Sequence, residues 1–113
     1  MANKEEFEEI DRLIGAYLNQ DLHEFYGSVG EAVADKVRHS HTGDNNRLAE
    51  ETALFESRYH NDLEAEFKRR YGFDFTPAAN GQTVMEFFDM VRRIIADPEN
   101  YAAFDTYARA AKK

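Results

Sequence analysis

The sequence predicts an all-α protein, a compact single-domain bundle or array of about six helices. Large apolar residues recur at spacings of three and four along most of the 113-residue chain, the signature of one buried helical face. Ser28-Val29-Gly30-Glu31, Gly72 and Asp97-Pro98 supply helix starts and stops. No long strand and no internal repeat is evident. With 42% hydrophobic and 13% aromatic residues, one domain over 1–113 can bury a core without metal or disulfide support.

The first helix is expected over residues 5–18, where Phe7, Ile10, Leu13, Ile14, Tyr17 and Leu18 form one stripe. Glu5, Glu6, Glu8 and Glu9 crowd its first turns, where the helix dipole favours acids. Gly15 interrupts the pattern, and close approach of another helix would explain it. Asn19-Gln20-Asp21 turns the chain, and Phe25-Tyr26-Gly27 connects to a second helix. There Ser28 and Glu31 match a capping box, and Val29, Ala32, Val33 and Val37 face inward. Residues 40–46 are polar throughout and are expected to form a loop.

A third helix over 46–59 places Leu48, Thr52, Phe55 and Tyr59 inward. A fourth, capped by Asn61 or Asp62, does the same for Leu63, Phe67 and Tyr71. Gly72 ends it. Residues 73–81 form an extended connector that Phe73 and Phe75 are both expected to anchor. The helix over 82–96 is the most apolar, with Val84, Phe87, Phe88, Val91, Ile94 and Ile95, and with Met85 at its margin. Asp97 at the N-cap and Pro98 at the first helical position restart the chain. A last helix follows, carrying Tyr101, Phe104, Tyr107 and Ala108, and 98–113 reads as a helical extension.

Composition narrows the chemistry. Cysteine is absent, which excludes disulfides, thiolate catalysis and Cys-ligated zinc. No apolar run has membrane-spanning length, and the acidic N-terminus is unlike a signal peptide; a cytoplasmic protein is expected. The net charge is −8, unevenly placed. Residues 1–66 hold sixteen acids against six bases, and 67–113 hold six acids against eight bases. A negative lobe repels nucleic acid and speeds encounter with a basic partner.

Motifs for catalysis or metal binding are missing. His39-x-His41 lacks a third ligand at fixed spacing, and no Glu-x-x-His of the di-iron type occurs. Nor is there a phosphate loop, a nucleophile elbow or a His-Glu-x-x-His. No metal and no cofactor is expected, and enzyme activity is disfavoured. The bases at Lys68-Arg69-Arg70 and Arg92-Arg93 suit helix ends better than nucleic-acid binding by so acidic a chain.

The order of residues in the first half resembles immunity proteins of bacterial contact-dependent growth inhibition systems. The resemblance rests on Leu13-Ile14-Gly15-Ala16-Tyr17-Leu18-Asn19-Gln20-Asp21, then Tyr26-Gly27-Ser28, then Glu31-Ala32-Val33. Glu50-Glu51, a Tyr-x-Phe-x-Pro-like connector between Tyr71 and Pro77, and a closing apolar helix extend it over about residues 7–96. Leu22 stands where that pattern tends to have Trp, and Phe87-Phe88 replaces an aromatic-Leu pair; both keep a large apolar group.

The resemblance implies a non-enzymatic protein that binds the toxic C-terminal domain of a secreted effector. The complex is expected to be 1:1 with a monomer. Such toxins are often nucleases, whose surfaces are basic because they hold phosphates. Tyr17, Gln20, Asp21, Tyr26, Ser28 and Glu31 match the family motif and are expected to serve the scaffold. Contact with the toxin is expected from acids of the negative lobe, namely Asp44, Glu50, Glu51, Asp62, Glu64 and Glu66. The competing readings are an acidic helical adaptor for an unrelated basic protein and a small hydrolase with an unrecognised site.

Overall fold

The computed structural model describes residues 7–105. Within them lie seven α-helices and no strand: α1 (Glu8–Arg12), α2 (Leu22–Phe25), α3 (Val29–His39), α4 (Thr42–Arg58), α5 (Leu63–Tyr71), α6 (Val84–Ala96) and α7 (Tyr101–Phe104). α1 continues into a π-helical turn at Leu13–Tyr17, and 3-10 turns occupy Pro77–Asn80 and Pro98–Asn100. The all-α expectation holds, with α2 as an element that the sequence reading passed over.

The stripe from Phe7 to Leu18 is buried as expected, apart from the half-buried Tyr17. The helix beneath it widens: Leu18 N donates to Leu13 O at 3.0 Å and to Ile14 O at 3.2 Å. Gly15 is exposed in this turn, and a Cβ added there would meet nothing within 4 Å. The expected close approach of another helix is therefore wrong. Glu5 and Glu6, the start of the expected first helix, lie outside the described residues.

α4 begins at Thr42, so most of the expected loop over 40–46 is helix. Its polar residues reflect an exposed first turn rather than a break in the chain. Asn45 Nδ2 donates to Val37 O at 3.0 Å, tying that turn to the end of α3. The connector after α5 is anchored by Phe75 alone: Phe75 is 8% exposed and Phe73 is 87% exposed. Gly81 closes it at φ 75°, a left-handed conformation that glycine adopts without strain.

α6 is the axis of the core. Val84, Phe87, Phe88, Met90, Val91 and Ile94 are all buried on it, and α3, α4, α5 and α7 pack around it. A full capping box starts it, with Thr83 Oγ1 accepting from Glu86 N at 3.1 Å and Glu86 Oε1 accepting from Thr83 N at 2.9 Å. Of the last expected helix, α7 is present, and Tyr107 and Ala108 lie outside the described residues.

Aromatic rings fill the centre between α1, α4, α5 and α6. The Phe55 centroid lies 5.1 Å from Phe7, 5.5 Å from Phe88 and 6.1 Å from Phe67, all edge-on. Each such pair contributes about 0.5–1.5 kcal/mol beyond area burial. Arg70 covers the cluster, its guanidinium carbon 5.0 Å from the Phe7 centroid and 5.4 Å from that of Tyr59. Tyr71 closes the other side, donating its hydroxyl to Asp11 Oδ1 at 2.6 Å. Burial, then that carboxylate, holds the phenol well above its ordinary pKa.

Candidate functional site

Residues 17–31 form the corner between the first helix and α3. Asn19 makes the turn, its Nδ2 donating to Gly15 O and its Oδ1 accepting from Asp21 N, each at 2.9 Å. Such local bonds are what let an Asn side chain end a helix. Gln20 reaches across the fold, its Nε2 donating to Phe73 O at 2.9 Å. This bond ties the corner to the connector after α5. Asp21 opens α2 through its carbonyl, which accepts from Glu24 N at 2.9 Å, while its exposed carboxylate makes no cap bond.

The remaining motif residues also bond within the chain. Tyr17 is half-buried against the core. Tyr26 donates to Asp35 Oδ2 at 2.5 Å, and that bond, helped by burial, pushes its phenol up to about 12. Ser28 Oγ accepts from Glu31 N at 3.1 Å, as a capping box requires. The Glu31 carboxylate passes the cap residue and takes Gly27 N instead, at 2.8 Å.

The acids expected to meet a toxin fall into two groups. Glu51 is 4% exposed. Its Oε1 accepts from Glu9 N at 2.9 Å and Ile10 N at 3.0 Å, and its Oε2 accepts from Arg47 Nε at 3.0 Å. Burial pushes this carboxyl above its ordinary range, against the pull of those amides and of Arg47. Glu66 is also buried, and its Oε2 accepts from Arg70 Nε at 2.7 Å and from Arg69. Arg69 first, then Arg70, holds it below the usual carboxylate range, against burial.

Glu64 Oε2 accepts from Val84 N at 2.9 Å, so it supports the start of α6 from α5. Asp44 is half-buried in the first turn of α4, and Glu50 and Asp62 are exposed. Adjacent Glu50 and Glu51 diverge because successive helical residues point about 100° apart. Behind them lies a buried ion pair, with Lys36 Nζ donating to Glu9 Oε1 at 2.9 Å and Arg12 Nη1 donating to Glu9 Oε2 at 2.6 Å.

The basic clusters are similarly engaged. Arg92 donates to Thr52 Oγ1 at 2.9 Å and Glu56 Oε2 at 3.1 Å, and Arg93 donates to Asp89 Oδ2 at 2.8 Å. Among the described residues, no three His, Asp or Glu side chains converge in a way that could hold a metal ion, and no helix is long and apolar enough to cross a membrane.

Apart from this ionic seam of the buried carboxylates Glu9, Glu51 and Glu66, a cleft of about 790 Å³ opens between segment 18–29, the connector 72–80 and α7. Its apolar lining is Ala79, Tyr101 and Ala102 at the surface, with the core residues Leu18, Leu22, Val29 and Phe75 beneath, and its acids are Asp74 and Asp105. Asp105 is 3% exposed, and its Oδ2 accepts from Gly30 N at 3.0 Å. Its Oδ1 has no hydrogen-bond partner among the described residues. A Cβ on Gly30 would lie 2.6 Å from Asp105 Cβ, so glycine is what lets the carboxylate reach the start of α3. Two large exposed rings stand beside cleft residues in the chain: Phe25, 72% exposed, between His23 and Gly27, and Phe73 between Gly72 and Asp74.

Asp105 and the two rings were absent from the expected contacts. The bond from Gly30 to Asp105 spans 75 residues and left no local signal. Phe73 left none that distinguishes it from Phe75, which the structure buries.

Fold and site together define a small all-helical protein with an acid- and aromatic-bearing cleft on one side of an ion-paired scaffold. The family model described as CdiI immunity protein matches residues 6–95, and the chain belongs to that family. Membership implies neutralisation of a contact-dependent growth inhibition toxin. No curated protein and no solved structure matches the chain.

Proposed function

We propose that this protein binds the toxic C-terminal domain of a contact-dependent growth inhibition effector in the cytoplasm, as a monomer in a 1:1 complex. The toxin is a basic domain of nuclease type, and the immunity protein acts by binding it, without catalysis of its own. Family membership over residues 6–95 carries this reading. The net charge of −8 supports it, because an acidic protein is steered onto a phosphate-binding surface and excluded from nucleic acid. Of the six acids expected at the contact, Asp44, Glu50, Asp62 and Glu64 remain the candidates. Glu51 and Glu66 are buried in the scaffold and bonded there.

Co-expression with the effector domain encoded directly upstream tests the proposal. Expected are rescue of growth, co-purification of the two proteins, and an association rate that falls as salt rises. Cell death despite soluble expression of both proteins, with no co-purification, overturns it.

A further inference from the structure

Phe25 and Phe73, each within two residues of cleft-lining residues in the chain, are not part of the hydrophobic core. Phe25 and Phe73 keep 72% and 87% of their surface in water, whereas the other seven of the nine phenylalanines are buried or partly buried against the core. Exposed aromatic rings of this kind are enriched at protein–protein interfaces. The cleft wall also holds a buried carboxylate, Asp105, with one oxygen on Gly30 N and the other without a partner among the described residues. A buried acceptor left open is costly unless something donates to it. Asp74 adds a second acid, and among the described residues the lining holds one imidazole, His23, and no lysine or arginine, so the cleft favours a cation.

From these observations we infer that the cleft between segment 18–29 and the connector 72–80 is the face that docks on the toxin. Phe25 and Phe73 pack on the toxin surface, and a toxin lysine or arginine enters the cleft to donate to Asp105, with Asp74 beside its path. The inference rests on the immunity reading above and adds the location of its binding surface. It moves the centre of the contact from the acids of α4 and α5 to a site made by tertiary structure. Rim acids such as Glu50 and Asp62 then mainly set the rate of encounter. Gln20, by holding Phe73 O, positions one ring without itself being required at the interface.

The test is titration of the full chain with the purified effector domain encoded directly upstream, with far-UV circular dichroism and melting curves as folding controls. Phe73→Ala and Asp105→Asn are expected to weaken binding about tenfold or more each, mainly through faster dissociation. Asp105→Asn keeps an oxygen for Gly30 N while losing the charge; if it fails to fold, Asp74→Asn reads the same cleft. Glu50→Lys with Asp62→Lys is expected to slow association and leave dissociation nearly unchanged.

Tight binding by the wild type, unchanged within about twofold in Phe73→Ala and both Asp variants, overturns the inference and leaves the immunity reading standing. Absence of binding by the wild type overturns both. If Phe73→Ala instead breaks a homodimer at equal toxin affinity, the face belongs to self-association, and the inference falls.

Discussion

The ionic seam and the cleft are both rich in carboxylates, yet they use them in opposite ways. Along the seam, Glu9, Glu51 and Glu66 are buried and turned inward, onto backbone amides and the cations Lys36, Arg47, Arg69 and Arg70. These acids hold the start of the first helix against α4, and α5 to itself. In the cleft, Asp105 has one oxygen without a partner among the described residues, and two phenylalanines within two residues of its lining in the chain face water. The difference teaches that acid content alone does not locate a binding surface. What matters is which carboxylates the fold has already satisfied.

The largest expected effect lies on the seam. Lys36→Ala leaves Glu9 buried with only Arg12 opposite it, and removing one partner of a buried pair costs about 3–5 kcal/mol. Urea unfolding should show it, and an unchanged midpoint would mean that the seam is dispensable. Glu51→Ala comes next. It strips the acceptor from Glu9 N and Ile10 N, at about 1–3 kcal/mol, whereas Glu51→Gln keeps an oxygen for both amides and should cost much less. Equal losses in the two variants would place the value of Glu51 in its charge.

Two glycines sharpen the contrast, one of them packed against the cleft residue Asp105. Gly30→Ala drives a methyl into Asp105 and should cost about 1–3 kcal/mol, as overpacking does. Gly15→Ala meets open space and should stabilise the helix by up to about 1 kcal/mol. Melting temperatures that move in opposite directions meet this expectation; movement in one direction contradicts it.

The smallest effect concerns pH, where two seam acids act with opposite sign. The folded-state pKa of Glu66 is depressed below its ordinary 4.5. Its stabilisation is therefore complete above about pH 4.5 and is lost as pH falls through the depressed value. The folded-state pKa of Glu51 is raised, so acidification through that value toward 4.5 adds stability instead. In urea midpoints measured across this range, Glu66→Gln should flatten the loss below pH 4.5, and Glu51→Gln should remove the gain above it. A steeper acid loss in Glu66→Gln than in the wild type would reverse the assignment.

Much of the fold was legible because burial leaves a periodic trace. The spacing of Phe7, Ile10, Leu13, Ile14 and Leu18, and of Val84, Phe87, Phe88, Val91 and Ile94, marks core faces that the structure then buries. Ser28 announced the start of α3 by its hydroxyl. Polarity misled at residues 40–46, since an exposed helical turn and a loop carry the same residues. Phe73 and Phe75 look alike in sequence, and only the packing of Phe75 beside Phe87, at 5.2 Å between centroids, separates them.

The sequence by itself determined the helical class, the identity of most core residues, the acidic balance and the family, because propensity, periodicity and residue order are local properties. Tertiary structure alone decided which acids face solvent and which cap a distant helix. Whether Glu50 or Glu51 points outward, whether Glu64 meets Val84, and whether Asp105 meets Gly30 all depend on where a partner from another helix arrives. A carboxylate oxygen is open to a binding partner only when no backbone amide or cation of its own chain has reached that oxygen first.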